Sequence, residues 1–339
     1  EVNILIFLSF LVSLIIPFIF FYILKIRYKN LDNKHLILFS SLLLISPYFR
    51  GSAFWCLTEN TGYLFLILSI FFYIKYLKIK NYSNIFYITL FGSLALYSRM
   101  QLIFFLIFFT LSIFVEKKYS KLFILFCYLF LFSIPGLYLI FLWGGLILSD
   151  TGEGSGLYYF INFRSVPNTS LVILSLITFY LLPFFAINNY QVITKKIIFN
   201  FFKKFIILLL FVSLIYIIFK VDILYLSENT LGVYGQGFLV DVLYRITGKE
   251  YFFLPFSALG LLIILDYINI DKKNLLILTS LILIMSFRVH FFNEYLDPLL
   301  YIIAFTLLKN KPNFEKNLRK TSLLFSSYYI FILIGAIIY

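Results

Sequence analysis

Charge is what this 339-residue sequence has least of. Asp, Glu, Lys and Arg make up 13% of it, about half the ~25% of a soluble domain. With 62% hydrophobic residues, that excludes a water-soluble globular enzyme. Cysteine is almost absent as well. Cys56 and Cys127 are the two present; they cannot build a disulfide framework, and no metal-ligand spacing includes them. The glycines at 152, 154 and 156 and at 232, 235 and 237 are not followed by Gly-Lys-Ser/Thr, so no phosphate-binding loop is encoded. Strict apolar-polar alternation is missing too, which argues against a membrane β-barrel. The opening segment lacks a basic n-region and a small-residue cleavage site, so it does not read as a signal peptide.

Long apolar runs are abundant. A membrane helix needs about 20 apolar residues, and polar punctuation divides the chain into twelve candidate spans. They lie near 3–24, 36–48, 61–77, 83–98, 101–115, 122–147, 169–187, 205–219, 251–265, 275–287, 298–308 and 322–338. The expected fold is all-α, a single polytopic bundle over 1–339 with longer external loops at 148–168 and 220–250. No internal repeat or soluble domain interrupts it.

Orientation follows from the basic residues. One set of alternate loops holds 21 of the 28, among them Lys25, Arg27, Lys75, Lys118, Lys121, Lys204 and Arg319. This set is assigned to the cytoplasm, which places both termini outside. The net charge of +13 is then explained by lysines facing anionic lipid, and no nucleic-acid partner is expected. Ten of the 15 acids fall on the other side.

The two sides also differ in the kind of cation. Nineteen of the 21 cytoplasmic cations are Lys, whereas five of the seven external ones are Arg. Arg offers a planar fork that binds phosphate bidentately and keeps its charge in a dry site. Arg50, Arg99 and Arg288 are therefore candidate phosphate ligands. The competing reading is that they pair with nearby acids and snorkel.

Three short external stretches concentrate polar chemistry. In Ser46-Pro47-Tyr48-Phe49-Arg50 through Thr58-Glu59-Asn60, Pro47 ends one helix and Glu59 opens the next, where an acid suits the positive helix end. Glu59 is a candidate active-site carboxylate or metal ligand; pairing with Arg50 is the structural alternative. Arg288-Val289-His290 through Glu294-Tyr295-Leu296-Asp297-Pro298 gathers Arg, His, two acids and Asn293. Ser98-Arg99-Met100-Gln101 forms a third corner. Asn60, Gln101, His290, Glu294 and Asp297 are the candidate substrate-cavity residues. Between them, Phe238 to Ile246 carries apolar residues at helical spacing, with Asp241 and Arg245 as an i,i+4 pair. It reads either as an amphipathic helix on the membrane face or as a helix packed on neighbouring segments.

Ser46-Pro47, Arg50, Thr58-Glu59-Asn60, the Lys75–Lys80 turn, Leu94-Ala95-Leu96-Tyr97-Ser98-Arg99 and the late Tyr295-Leu296-Asp297-Pro298 together resemble the GT-C superfamily of membrane glycosyltransferases. The resemblance is closest to the branch of aminoarabinose transferases and protein O-mannosyltransferase-like bacterial enzymes. It covers roughly residues 1–120, and its motifs are loose. It implies a bacterial inner-membrane enzyme that takes a sugar from a polyprenyl-phosphate donor to a lipid, glycan or protein acceptor at the external face. Arg50, Arg99 and Arg288 would contact the donor phosphate, and Glu59 would position the donor or hold a divalent cation; no other cofactor is implied. Relatives carry the acceptor-activating carboxylate in a first external loop that nothing here matches. Because the chain begins at Glu1 rather than Met, it is expected to be a fragment lacking the first span and the catalytic base. An O-antigen-type polysaccharide polymerase and a lipid or polysaccharide transporter are the alternatives. A transporter is expected to bind near the bilayer midplane, whereas these ionisable residues sit at span ends.

Overall fold

The computed structural model describes residues 2–55, 58–143, 166–189, 195–221, 238–286, 295–310 and 314–320, with 322, 326–328 and 330 near the end. Its elements in chain order are α1 (Val2–Arg27), α2 (Asn33–Ser41), α3 (Pro47–Phe54), α4 (Thr58–Lys78), α5 (Tyr82–Ser98), α6 (Ile103–Val115) and α7 (Tyr119–Trp143). They continue with α8 (Val166–Asn189), α9 (Lys195–Ile218), α10 (Phe238–Thr247), α11 (Leu254–Ile270), α12 (Lys272–Ser286) and α13 (Leu299–Thr306). Short 3-10 turns cover Leu42–Ile45, Met100–Leu102 and Glu250–Phe253. The described residues contain no strand, so the all-α expectation holds.

The expected twelve spans do not hold. Among the described residues, six helices are long and apolar enough to cross a membrane: Ile4–Arg27, Thr58–Lys78, Tyr119–Leu142, Val166–Asn189, Phe199–Ile218 and Glu250–Ile270. The pair Asn33–Ile45 and Pro47–Phe54, bent by 64°, makes a seventh if counted as one span. The reason is length. At 1.5 Å per residue, the 17 residues of α5, 13 of α6 and 8 of α13 each fall short of the ~30 Å hydrocarbon layer. These apolar runs are helical, as their composition demands, but too short to cross alone. The last expected span, 322–338, lies largely outside the described residues.

The chain forms two compact units. The first comprises Glu1–Asp150, Asp297–Leu307 and Glu315–Tyr339. Here α4 and α5 form a hairpin, α1 packs on α4, α6 and α7 pack on α5, and α13 touches α1 and α4. Tyr73 of α4 is set edge-on to Phe105, Phe108 and Phe109 of α6, with ring centroids 6.0, 5.5 and 5.8 Å away, favourable geometry for aromatic quadrupoles.

This unit has a basic end. Arg27 donates to the Thr306 carbonyl, and Tyr28 donates to that of Phe305 at 3.1 Å. Arg319 donates to the Asn30 carbonyl and lies 3.7 Å from Asp32. Where α4 ends and α7 begins, Lys80 and Lys118 share the Glu116 carboxylate, and Lys121 donates to the Lys80 carbonyl at 2.6 Å. The cations thus gather in two groups, Arg27 and Arg319 around the turn after α1 and Lys80, Lys118 and Lys121 around Glu116.

The second unit, Thr151–Leu296 with Leu308–Phe314, is built on the α8–α11 pair, with α9 and α12 packed alongside. The α8–α11 crossing is close because its residues are small. A Cβ on Gly260 would collide with the Leu174 carbonyl oxygen. Ser257 donates to Leu171 O at 2.7 Å and Thr178 to Phe256 O at 2.5 Å. Small residues with hydroxyls turned onto the facing backbone are the usual packing device where lipid supplies no hydrophobic drive. The helix expected over 238–246 is α10, which packs on α8 and on the turn Glu250–Phe253.

Candidate functional site

The polar site lies in the first unit and begins at the break before α3. Ser46 leaves the helical region and caps α3, its hydroxyl accepting from Phe49 N at 3.1 Å. Pro47 follows at the first helical position, where its missing N–H costs nothing. Pro47 therefore starts a helix as well as ending one, and the stretch expected to be a loop is largely helical.

α3 brings Ser52 beside the first turn of α4. The Ser52 hydroxyl donates to Glu59 Oε2 at 3.3 Å and accepts from Asn60 N at 3.3 Å. Asn60 ties this corner to α1. Its Nδ2 donates to Ser13 Oγ at 2.7 Å and to Phe49 O at 2.8 Å. Ser13 in turn donates to Ser9 O at 2.8 Å, and Ser9 to Ser52 O at 3.3 Å. Asn60 is 1% exposed, so these bonds replace water that the apolar surroundings exclude.

Glu59 is 5% exposed and forms an ion pair with Arg99, not with Arg50. Arg99 caps α5 in an extended conformation, its amide bonded to Ala95 O at 2.9 Å. Gly62, one turn along α4 from Glu59, faces the same corner: a Cβ there would lie 3.0 Å from Leu102 Cδ1 and in ordinary contact, at 3.5 Å, with Arg99 Cγ. The pair is nearly neutral as a unit, which suits a low-dielectric site far better than either charge alone. The guanidinium is a planar fork of five donors, and the Glu59 carboxylate fixes its plane.

Asp297 joins the same group of elements. It is 4% exposed; Ser46 donates to its Oδ2 at 2.9 Å, and Tyr63 donates to its carbonyl at 3.4 Å. Tyr63 follows Glu59 by one turn of α4, and Ser46 and Ser52 both belong to the α3 segment. Burial pushes the Asp297 carboxyl up to about 7, with the Ser46 hydrogen bond opposing that rise. A carboxyl near neutrality can exchange a proton at physiological pH.

No family model matches this chain, and no curated protein or solved structure matches it. The geometry therefore carries the functional argument alone.

Of the candidate residues, the fold brings Glu59, Asn60, Arg99 and Asp297 together through α3 and α4. Arg50 sits on α3, half-buried, its Nε buried without a hydrogen bond. Gln101 is buried at 4% in the turn after α5. Arg288, His290 and Glu294 lie outside the described residues. Among the described residues no three His, Cys, Asp or Glu side chains gather as a metal-ligand set, and the Glu59 carboxylate already faces a guanidinium.

Ser9, Ser13, Gly62 and Tyr63 were not singled out in the sequence, and the bonds that Ser46 and Ser52 make were not read from it. The legible signal was Gly62, a small residue three positions after Glu59 and so on its helix face.

Proposed function

We propose that the chain is a membrane glycosyltransferase of the GT-C type, acting at the external face of a bacterial plasma membrane on a polyprenyl-phosphate sugar. The observation that supports this most is the buried Glu59–Arg99 pair, joined through α3 to Asp297 and set in the first unit apart from its basic end. An arginine held in plane by a buried acid is a preorganised ligand for a phosphate leaving group.

In this reading Arg99, with Arg50 from α3, meets the donor phosphate. The acceptor hydroxyl attacks the anomeric carbon; a C–O bond forms there as the bond to the phosphate oxygen breaks. The polyprenyl phosphate leaves with the bonding electrons, and the guanidinium balances the charge it develops. The hydroxyl proton goes to a carboxylate. Asp297, tuned by burial toward neutrality, is the described group suited to take it. Ser46 holds that carboxylate in place.

The test is release of polyprenyl phosphate from a labelled polyprenyl-phosphate sugar by membranes carrying the protein. The expected result is release above that of membranes without it, reduced by Asp297→Asn. Equal release from both membranes would reject the activity. Flow of intact lipid or glycan across the bilayer without sugar transfer would favour a transporter.

A further inference from the structure

The turn between α6 and α7 puts cations where a helix favours anions. α7 has no acid in its first turn, and the positive end of its dipole meets Lys117, Lys118 and Lys121 instead. The turn itself is fixed. Lys117 N donates to Phe114 O at 2.9 Å and Lys118 N to Ile113 O at 3.3 Å, which closes α6 with Lys117 at φ 54°. That left-handed position ordinarily takes Gly or Asn. Lys118 is thereby set at the start of α7.

Three ammoniums gather near one carboxylate here. Lys80, from the turn between α4 and α5, and Lys118 both pair with Glu116. Lys121 lies over the rings of Tyr76 and Tyr82, with centroids 5.3 and 6.0 Å away, and donates to Lys80 O. Lys118 pushes the Lys80 ammonium below the usual lysine range, against the pull of Glu116. Glu116 raises Lys118 in turn. The single acid thus serves Lys118 and leaves positive charge in surplus. Tyr76 lies beneath, buried and edge-on to Phe109 at 5.6 Å. Its hydroxyl makes no hydrogen bond among the described residues, and Lys118 and Glu116 are the charges that act on it. A buried donor without an acceptor is costly, and a phosphate oxygen is an acceptor.

The cluster stands where two spans, Thr58–Lys78 and Tyr119–Leu142, end together. From it a stripe of exposed side chains runs along α7: Tyr119, Phe123, Phe126 and Phe130. Their spacing lines one helix face. A soluble anion would use the cations alone. A phospholipid uses both features, its phosphate on the lysines and its acyl chains along the stripe.

We propose that Lys80, Lys118, Lys121 and Tyr76 form a docking site for the phosphodiester of an anionic phospholipid whose acyl chains lie on the exposed aromatic stripe of α7. Basic pockets between membrane helices hold lipid head groups in this way. The site stands without the reaction proposed above.

The probe is phosphatidylglycerol, added to the delipidated full-length protein in detergent, with bound lipid counted by native mass spectrometry against phosphatidylcholine. Wild type should retain phosphatidylglycerol preferentially; no preference would overturn the site. Lys118→Gln with Lys121→Gln should weaken retention roughly tenfold or more. Lys203→Gln with Lys204→Gln, an equal loss of charge at exposed positions of α9, should leave it unchanged. Tyr76→Phe should weaken it severalfold and keep the thermal midpoint, since the hydroxyl has no hydrogen bond to lose. Equal losses in the two double variants would show general charge attraction and overturn the site, as would unchanged retention in Tyr76→Phe. Displacement of the lipid by glycerol 3-phosphate at equal concentration would show a soluble phosphate ligand and overturn the lipid. Should the Lys118, Lys121 variant fail to fold, photolysis of wild type with phosphatidylglycerol carrying a diazirine near its glycerol decides. Adducts at 117–123 in excess of those from a matched phosphatidylcholine would support the site, and equal adducts would overturn it.

Discussion

Glu59 and Arg99, forty residues apart in sequence, form a buried ion pair where the start of α4 meets the end of α5. Removing one partner of such a pair strands the other charge, at a cost of about 3–5 kcal/mol. Glu59→Gln and Arg99→Gln should each lower the thermal midpoint in detergent by several degrees, and the double variant should lose less than the sum. Additive losses would mean that the two side chains do not interact.

Asp297 predicts a pH dependence. Its unfolded carboxyl titrates near 3.8 and its folded one near 7. Between these values the folded state binds more protons than the unfolded state, so stability falls as pH rises through that window. The contribution is complete below about pH 4 and lost above about pH 7. Melting temperatures of wild type should fall between pH 4 and 7 relative to Asp297→Asn, which keeps an acceptor for Ser46. Parallel profiles would contradict the burial argument.

The α8–α11 crossing tolerates no side chain at residue 260. Gly260→Ala should cost about 1–3 kcal/mol or more by overpacking, because the Leu174 backbone cannot step aside. Gly51, with nothing within 4 Å of the corresponding position, should accept alanine with little change. Thermal melts of the two variants make the comparison, and equal midpoints would reject the close crossing.

Sidedness is tested by cysteine labelling in a variant with Cys56 and Cys127 replaced by Ser. Trp55, 78% exposed at the end of α3, and Asn30, at the basic end, report on opposite ends of the first unit. An impermeant thiol reagent applied from outside should modify Trp55→Cys and spare Asn30→Cys. The reverse pattern would place the candidate site on the cytoplasmic side.

The all-α class was legible in the sequence because apolar runs bounded by polar residues become helices whatever their length. The span count was not, because hydropathy marks where a run is and helical rise decides whether it crosses; α13, at eight residues, shows the difference. Glu59 was legible as an acid at a membrane edge. Its partner was not: Arg50 is nearer in sequence, but the packing of α5 on α4 brings Arg99 to it. The serines of α1 and the Ser46 cap were hidden because single hydroxyls inside apolar stretches carry no pattern until the facing helix is known. The cluster at Arg288, His290 and Glu294 falls outside the described residues.

The central claim is that Arg99, held by Glu59, binds the phosphate of a polyprenyl-phosphate sugar. The most direct measurement is polyprenyl phosphate release by wild-type, Arg99→Lys and Arg27→Lys proteins in native membranes, which supply the acceptor. Lysine keeps the charge but loses the fork, so Arg99→Lys should fall roughly 10²-fold, while Arg27→Lys, at the basic end, should match wild type. Wild-type release by Arg99→Lys would contradict the account.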